Sequence, residues 1–329
     1  MALRTHARFP DVPAKAGHYE SFYLKAAHPS EPLAVWIRHT VHKAPGERPV
    51  GNVWFVLFDA NADGPRASKV ALPPDRVGAG ADHYIRVGDT RLEPGRAVGA
   101  AKSEQLDASW DLSFECSEEP YFHLRDWMYR APVPRTKLLS PYPDARFSGR
   151  VQAGERQVEL DGWPGMVGHN WGSQHAERWI WMQAAGLDSA GAWLDASIGR
   201  VKVGPLTTPW IANGRLSLGG RNYALGGPER VRATEVDERP EGCEFVLPGK
   251  GVTVRGKVGS EPKNFVGWIY SDPDGSQHNT VNCSVSDMEL VVSREGEADV
   301  ELGVRGGAAY ELGMRERDHG IPIQPFPDP

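Results

Sequence analysis

Cysteine is scarce: Cys116, Cys243 and Cys283 are far apart and odd in number. That excludes a disulfide-stapled scaffold and fits reduced thiols serving as small apolar fillers in a cytoplasmic protein. Long apolar runs are missing as well, none approaching the roughly 18 residues a membrane helix needs. The opening Met1 to Pro13 mixes Arg4, His6, Arg8 and Asp11 without an apolar stretch, so neither a secretory leader nor membrane insertion is expected. No sign of charge dominates: 37 Lys and Arg against 43 Asp and Glu give −6, spread along the chain. With no basic stripe, nucleic acid is not an expected partner. Ligand spacing for a metal is also lacking, because His39 and His42, or His169 and His175, have no third ligand at a recognisable interval. The Gly-rich pieces Leu218-Gly219-Gly220 and Val304-Arg305-Gly306-Gly307 precede strands rather than helices, which removes a nucleotide fingerprint. No cofactor or metal is therefore expected.

Helical periodicity is the next absence. No window sustains an apolar 3.6-residue stripe over several turns, and at most one short helix is expected, near Arg96 to Leu106. What is present is strand period. Trp110-Asp111-Leu112-Ser113-Phe114-Glu115-Cys116 alternates without error, and Val35 to Val41 sets Val35, Ile37 and Val41 against Trp36, Arg38 and Thr40. Val53 to Phe58 is continuously apolar and reads as a strand buried on both faces. Similar runs recur at 179–184, 192–203, 265–270, 280–292, 300–304 and 310–314. Turn signals such as Asn61-Ala62-Asp63-Gly64, Asn213-Gly214 and Pro273-Asp274-Gly275 punctuate them, so antiparallel hairpins follow. The class is all-β, barrel or sandwich, and the absence of a tandem repeat excludes a propeller or solenoid. At 329 residues the chain is long enough for two domains. The join is expected at Val201 to Gly214, giving residues 1–203 and 204–314, followed by a Pro-rich tail, 315–329, read as an irregular strap or disordered.

Six of the 11 tryptophans fall between Trp163 and Trp210, and that cluster is the main compositional anomaly. In a strand, Trp179, Trp181 and Gln183 share a face, and after the turn at Ser189 to Gly191 the returning strand aligns Trp193, Asp195 and Ser197. The pattern His169-x-Trp171-Gly172, a short polar loop, Trp179-x-Trp181, a hairpin and then Trp193-x-Asp195 resembles the carotenoid hydratase (hydroxyneurosporene synthase) and AttH-like group. Tocopherol cyclases and lipocalin-like Diels–Alderases are more distantly similar. The opening Glu20 to Pro29 and Ala34 to Arg38 are also similar to the start of that group's first domain. The resemblance implies two lipocalin-like, calycin-type antiparallel β-barrels and places His169 and Asp195 as the catalytic pair. Two positions depart from the pattern: Gly168 stands where an acid often precedes the histidine, and Trp193 replaces the tyrosine of Tyr-x-Asp, removing a phenol.

The chemistry these residues suit is protonation of an electron-rich alkene. Asp195 in apolar surroundings would stay protonated, and the indoles of Trp171, Trp179, Trp181 and Trp193 would stabilise a cation, worth about 2 kcal/mol or more each when desolvated. His169 would polarise, deliver a proton or orient the acid. The expected function is a cofactor-independent hydratase, isomerase or cyclase of an isoprenoid- or polyketide-like molecule. A non-catalytic carrier of an apolar ligand is the alternative, and a carbohydrate-active β-sandwich comes third for want of a second carboxylate. In the structural alternative, Asp195 pairs with Arg178 or Arg200, His169 satisfies backbone groups beside Asn170, and His175 and Glu177 are solvated in a loop. No particular oligomeric state is implied.

Overall fold

The computed structural model describes residues 5–324. Alternation in the sequence becomes alternation in burial: along Asp107–Glu115, Ala108, Trp110, Leu112 and Phe114 are buried and every residue between them is exposed. The continuous apolar run lies within Val50–Asp59, whose core is buried on both faces.

A 12-stranded antiparallel sheet takes up the chain from His18 to Gly172. At its centre His18–Ala27 pairs with Leu33–Lys43 on one side and with Arg156–Gly172 on the other. The sheet curls until its ends approach, where Ser68 on Arg66–Leu72 donates a 3.2 Å hydrogen bond to the Ala101 carbonyl on Arg96–Lys102. A second sheet of 10 strands runs from Arg178 to Met314 and curls likewise, an isolated bridge joining Leu225 to Gly249. Among the described residues the only helical turns are 3-10 turns of three or four residues.

Two sequence expectations are corrected here. The short helix near Arg96 to Leu106 is a strand, Arg96–Lys102, paired with Asp107–Glu115. Its alanines suit either structure, but Ala97 and Ala101 have apolar neighbours in the barrel interior and the backbone finds partners across the sheet. The change of sheet falls at 173–177 rather than at 201–214, so the hairpin Arg178–Ala185 and Trp193–Arg200 pairs into the second sheet. Gly204-Pro205 instead closes a small hairpin of its own, Lys202–Val203 with Leu206–Thr207.

The first barrel encloses one core, including Phe22, Ile37, Phe55, Trp110 and Phe147. Residues on its outer face, Trp36, Trp54 and Phe58, join the core of the second sheet around Trp268 and Tyr270. That is why Leu33–Lys43 is buried on both faces: Val35 and Ile37 point into the barrel and Trp36 into the contact between barrels. The tail begins as a strap, with Gln324 N donating to the Gly267 carbonyl and Gly267 N to Pro322. Its last five residues, 325–329, lie outside the described residues. Among those described, no helix is long and apolar enough to cross a membrane.

Candidate functional site

A cavity of about 510 Å³ opens between the two sheets. The first sheet contributes Tyr19 and Tyr23 from His18–Ala27, Trp36 and Arg38 from Leu33–Lys43, and Asn170 from Arg156–Gly172. The second contributes Trp179, Trp181, Tyr270 and Glu311. Aromatic rings thus dominate, with a few polar groups among them. Glu311 accepts hydrogen bonds from Trp179 Nε1 (2.9 Å), the Tyr270 hydroxyl (3.1 Å) and Asn282 Nδ2 (3.3 Å), which orient these side chains around one carboxylate. Arg38 lies 4.1 Å above the Tyr270 ring, so a cation–aromatic contact helps join the two sheets.

Of the residues singled out from sequence, Trp179 and Trp181 line this cavity. Asp195 is fully buried just behind Trp181, whose indole donates to its Oδ1 over 3.2 Å. Gln183 stands directly opposite Asp195 across the hairpin and accepts from Lys25 Nζ over 3.2 Å. Trp193 is fully buried and packs toward Tyr121. His169 and Trp171 lie on the other face of their strand from Asn170, inside the first barrel. There His169 is stacked between Phe22 (3.8 Å) and Trp171 (4.5 Å). Its Nε2 bonds Glu20 at 2.7 Å. The structure therefore does not bring His169 to Asp195: alternation along a strand sends residues 169 and 170 to opposite sides, and only Asn170 reaches the cavity.

Glu20 and His169 make a buried structural pair. Burial alone would raise the Glu20 carboxyl, but hydrogen bonds from His169 and His18 hold it at about 2. Burial lowers His169 despite that bond. The ionised carboxylate also accepts the backbone N–H groups of Arg8 and Phe9, tying the N-terminal segment to the barrel.

The histidine that does meet Asp195 is His123, which the sequence reading missed. Its Nε2 lies 3.2 Å from Asp195 Oδ2, and the Ser140 hydroxyl donates to the same oxygen at 2.5 Å. His123 comes from the segment between Tyr121–Phe122 and Asp126–Tyr129, 72 residues before Asp195, so no local pattern links the two. Neither Arg178 nor Arg200 pairs with Asp195. Arg178 is bound by Glu238 and Glu316, and Arg200 by the Thr208 carbonyl.

The first departure from the resembled pattern has a physical reason. Gly168 sits opposite Tyr23 in the strand register, and a Cβ on it would lie 2.2 Å from the Tyr23 ring. An acid there has no room. Tyr23 occupies the space, its ring edge-on to Trp181 at 5.2 Å. A phenol thus reaches the cavity from the first sheet although Trp193 has replaced the one expected from the second. Burial, with the charges of Asp195 and Glu311, raises the Tyr23 hydroxyl well above its ordinary value, so it remains a donor.

His175, expected in a solvated loop, is instead packed between Tyr19 (3.9 Å) and Trp179 (5.2 Å). Its Nδ1 and backbone N–H both bond Asp272 Oδ1 at 2.7 Å. Next to them His278 is fully buried. Burial pushes Asp272 up, but the His175 bond and charge outweigh it and lower the carboxyl overall. Desolvation, with the charges of His175 and Arg315, lowers His278 to about 3.

No protein-family model matches the chain. In sequence it is similar to two uncharacterized proteins of Mycobacterium tuberculosis, Rv0493c from strain H37Rv and MT0513 from strain CDC 1551. Each is 24% identical over 311 residues, covering 92% of this chain and 91% of the relative. In structure it is similar to a candidate AttH of Nitrosomonas europaea, with a TM-score of 0.58 and 13% identity over 94% of this chain and 97% of that one. Kievitone hydratase of Nectria haematococca follows with a TM-score of 0.55 and 10% identity, over 92% and 90% of the two chains. The all-β architecture of paired, curled sheets seen here is thus the fold of these AttH-like and hydratase structures, in line with the resemblance carried by the Trp-rich segment.

Proposed function

We propose that the protein adds water to, or isomerises or cyclises, an apolar small molecule held in the cavity between the barrels, with Asp195 as proton donor and His123 as its partner. The observation that carries this reading is the buried contact between the Asp195 carboxyl and the His123 imidazole. His123 Nδ1 lies 3.2 Å from the Asn213 carbonyl, which can only accept, so Nδ1 bears hydrogen. In a neutral imidazole Nε2 is then an acceptor, and it faces Asp195 Oδ2. The Ser140 hydroxyl lies 3.3 Å from the same nitrogen, so carboxyl, imidazole and hydroxyl form one almost wholly buried hydrogen-bonded group through which a proton can pass. That is a protected proton relay beside an aromatic cavity.

In hydration, the proton forms a C–H bond at one alkene carbon, water forms the C–O bond at the other, and the surplus proton returns to Asp195. In isomerisation a neighbouring C–H supplies the returning proton; in cyclisation an internal alkene forms the C–C bond by capturing the cation, and the new cation then loses a C–H proton that returns to Asp195. Trp179 and Trp181 offer their faces to the positive charge. Trp181 separates Asp195 from the cavity while hydrogen-bonding to it, so movement of that indole is the step that presents the acid. A hydratase among the proteins that share this fold supports hydration as the first of the three.

The test begins with native mass spectrometry of freshly purified protein to identify a co-purifying apolar molecule. That molecule is returned to fresh protein in water labelled with heavy oxygen, and hydration puts the label into the product. Asp195→Asn is expected to bind it within about threefold of the parent and to turn it over about 100-fold more slowly. Unchanged turnover in Asp195→Asn would remove Asp195 from the chemistry, and recovery of the ligand unaltered from every preparation would make the protein a carrier.

A further inference from the structure

His175 lines the cavity with Asp272 and His278 fully buried beside it, and the ligand-capable atoms of the three all lie within 4.8 Å of one another. They come from three separate places: the connection between the sheets, the end of Val266–Ser271, and Gln277–Arg294. His278 is fully buried, and neither ring nitrogen makes a hydrogen bond of ordinary geometry, although Asp272 Oδ2 lies 3.7 Å from Nδ1 and the Ala176 backbone is close by. A desolvated imidazole held this weakly is costly unless something else binds it. We propose that His175, Asp272 and His278 form a binding site for one divalent transition-metal ion, of the zinc(II) class.

The donor set selects the metal. Two imidazoles and one carboxylate suit zinc or a similar borderline ion, whereas calcium and magnesium require oxygen ligands throughout. Tetrahedral bonds of about 2.0–2.1 Å place ligand atoms about 3.3 Å apart. The spacings here bracket that value: 2.7 Å between His175 Nδ1 and Asp272 Oδ1, and 3.7 Å between His278 Nδ1 and Asp272 Oδ2. The ion would replace the proton in the shorter contact and draw His278 inward. Supporting groups are in place. Tyr19 and Trp179 clamp the His175 ring, and the Ser276 hydroxyl donates to Asp272 Oδ2 at 3.2 Å. Arg315, the nearby cation, is engaged by Glu177 and the Gln277 carbonyl. Three protein ligands leave a fourth position, and since His175 lines the cavity, a hydroxyl or carbonyl of a bound molecule, or a water, can take it. The site stands on these three residues and does not depend on Asp195 being the acid.

Full-length protein stripped with chelator and titrated with zinc(II) in a calorimeter is expected to bind one equivalent, with a rise in melting temperature. Cobalt(II) in the same protein should give the visible absorption of a low-coordinate nitrogen–oxygen site. His278→Gln and Asp272→Asn are expected to weaken binding roughly 100-fold, and His83→Gln, at a half-buried histidine outside the cluster, should leave it unchanged. Absence of zinc binding to the parent protein overturns the proposal. So does equal binding by His278→Gln, which would assign the metal to other histidines. If the variants fail to fold, the cobalt spectrum of the parent decides, a six-coordinate, water-like spectrum counting against the site.

Discussion

Lys25 is a buried amine with no carboxylate beside it. Its Nζ donates to Gln183 Oε1 and to the Gly307 carbonyl, bridging the two sheets, and burial lowers it to about 7. An unfolded lysine holds its proton to about pH 10.4. Between about pH 7 and 10 the unfolded chain therefore binds more protons than the folded one, and stability from this residue rises with pH across that window. Below it the cost of burying the charge is fully present, on the order of 4 kcal/mol at about 1.4 kcal/mol per pKa unit. Lys25→Met removes the titration but leaves two acceptors without their donor. Relative to the parent, its stability should be most favourable near pH 6 and decline by roughly 3 kcal/mol toward pH 10 in urea unfolding. Parallel pH profiles would show that folding leaves the Lys25 titration unshifted. The same scale shows what the sequence could say about the site. The placement of Asp195 in a hairpin with Trp181 and Gln183 was legible because the pairing is local, across one turn. His123 was not, because it reaches Asp195 from 72 residues away through tertiary packing. Nor was the His175 cluster, whose Asp272 lies 97 residues on.

Strands were readable wherever one face is wet. Asp107–Glu115 announces itself by alternation. The limit appears where both faces are buried or both are small: the outward Arg38 and Thr40 of Leu33–Lys43 have the look of a wet face yet are buried, and Arg96–Lys102 is too rich in alanine and glycine to show a period. Sheet membership was hidden as well, since a hairpin has the same pattern in either sheet. The short elements at the cavity mouth were legible only as breaks. Among the described residues the exposed large apolar side chains are Trp127, Val133, Val203 and Leu206. They occupy just two segments, 126–134 and the hairpin Lys202–Val203 with Leu206–Thr207, and Val133 and Val203 line the cavity. Apolar surface concentrated at an entrance contributes little to the fold, and under the proposed function it would serve to capture an apolar molecule. Replacing Val203 and Leu206 together by serine should change unfolding free energy by less than about 0.5 kcal/mol. Affinity for a fluorescent apolar probe such as anilinonaphthalene sulfonate should fall several-fold. A large loss of stability with unaltered probe affinity would instead mark the hairpin as structural.

At the scale of the molecule, the two barrels share apolar surface rather than merely touching. Trp54 leaves the outer face of the first sheet and meets Trp268 of the second edge-on at 4.9 Å, while Trp36 stacks beside Trp268 at 6.5 Å. On the other side of Trp54, Lys69 Nζ sits 3.8 Å from the ring centre. The core of the second barrel continues without a break into this contact, so its packing includes Ala34, Trp36, Trp54 and Phe58 from the first. Neither barrel can open along this face without exposing indoles that the other now covers, each carrying one of the larger apolar surfaces a side chain offers. The cavity lies along the same seam, bounded by Trp36 on one sheet and Trp179 on the other. Folding and formation of the cavity are therefore coupled. Calorimetric unfolding of the parent is expected as a single cooperative transition, although a chain of this length with two sheets could in principle unfold in two steps. Trp268→Ala should lower its midpoint, at a cost of about 3–5 kcal/mol for a large aromatic lost from a packed core. It should also weaken apolar-probe binding even though Trp268 is absent from the cavity lining. Two resolved transitions in the parent, or a Trp268→Ala variant with one barrel's transition unmoved, would show that the barrels fold independently and that the cavity is assembled only afterwards by docking.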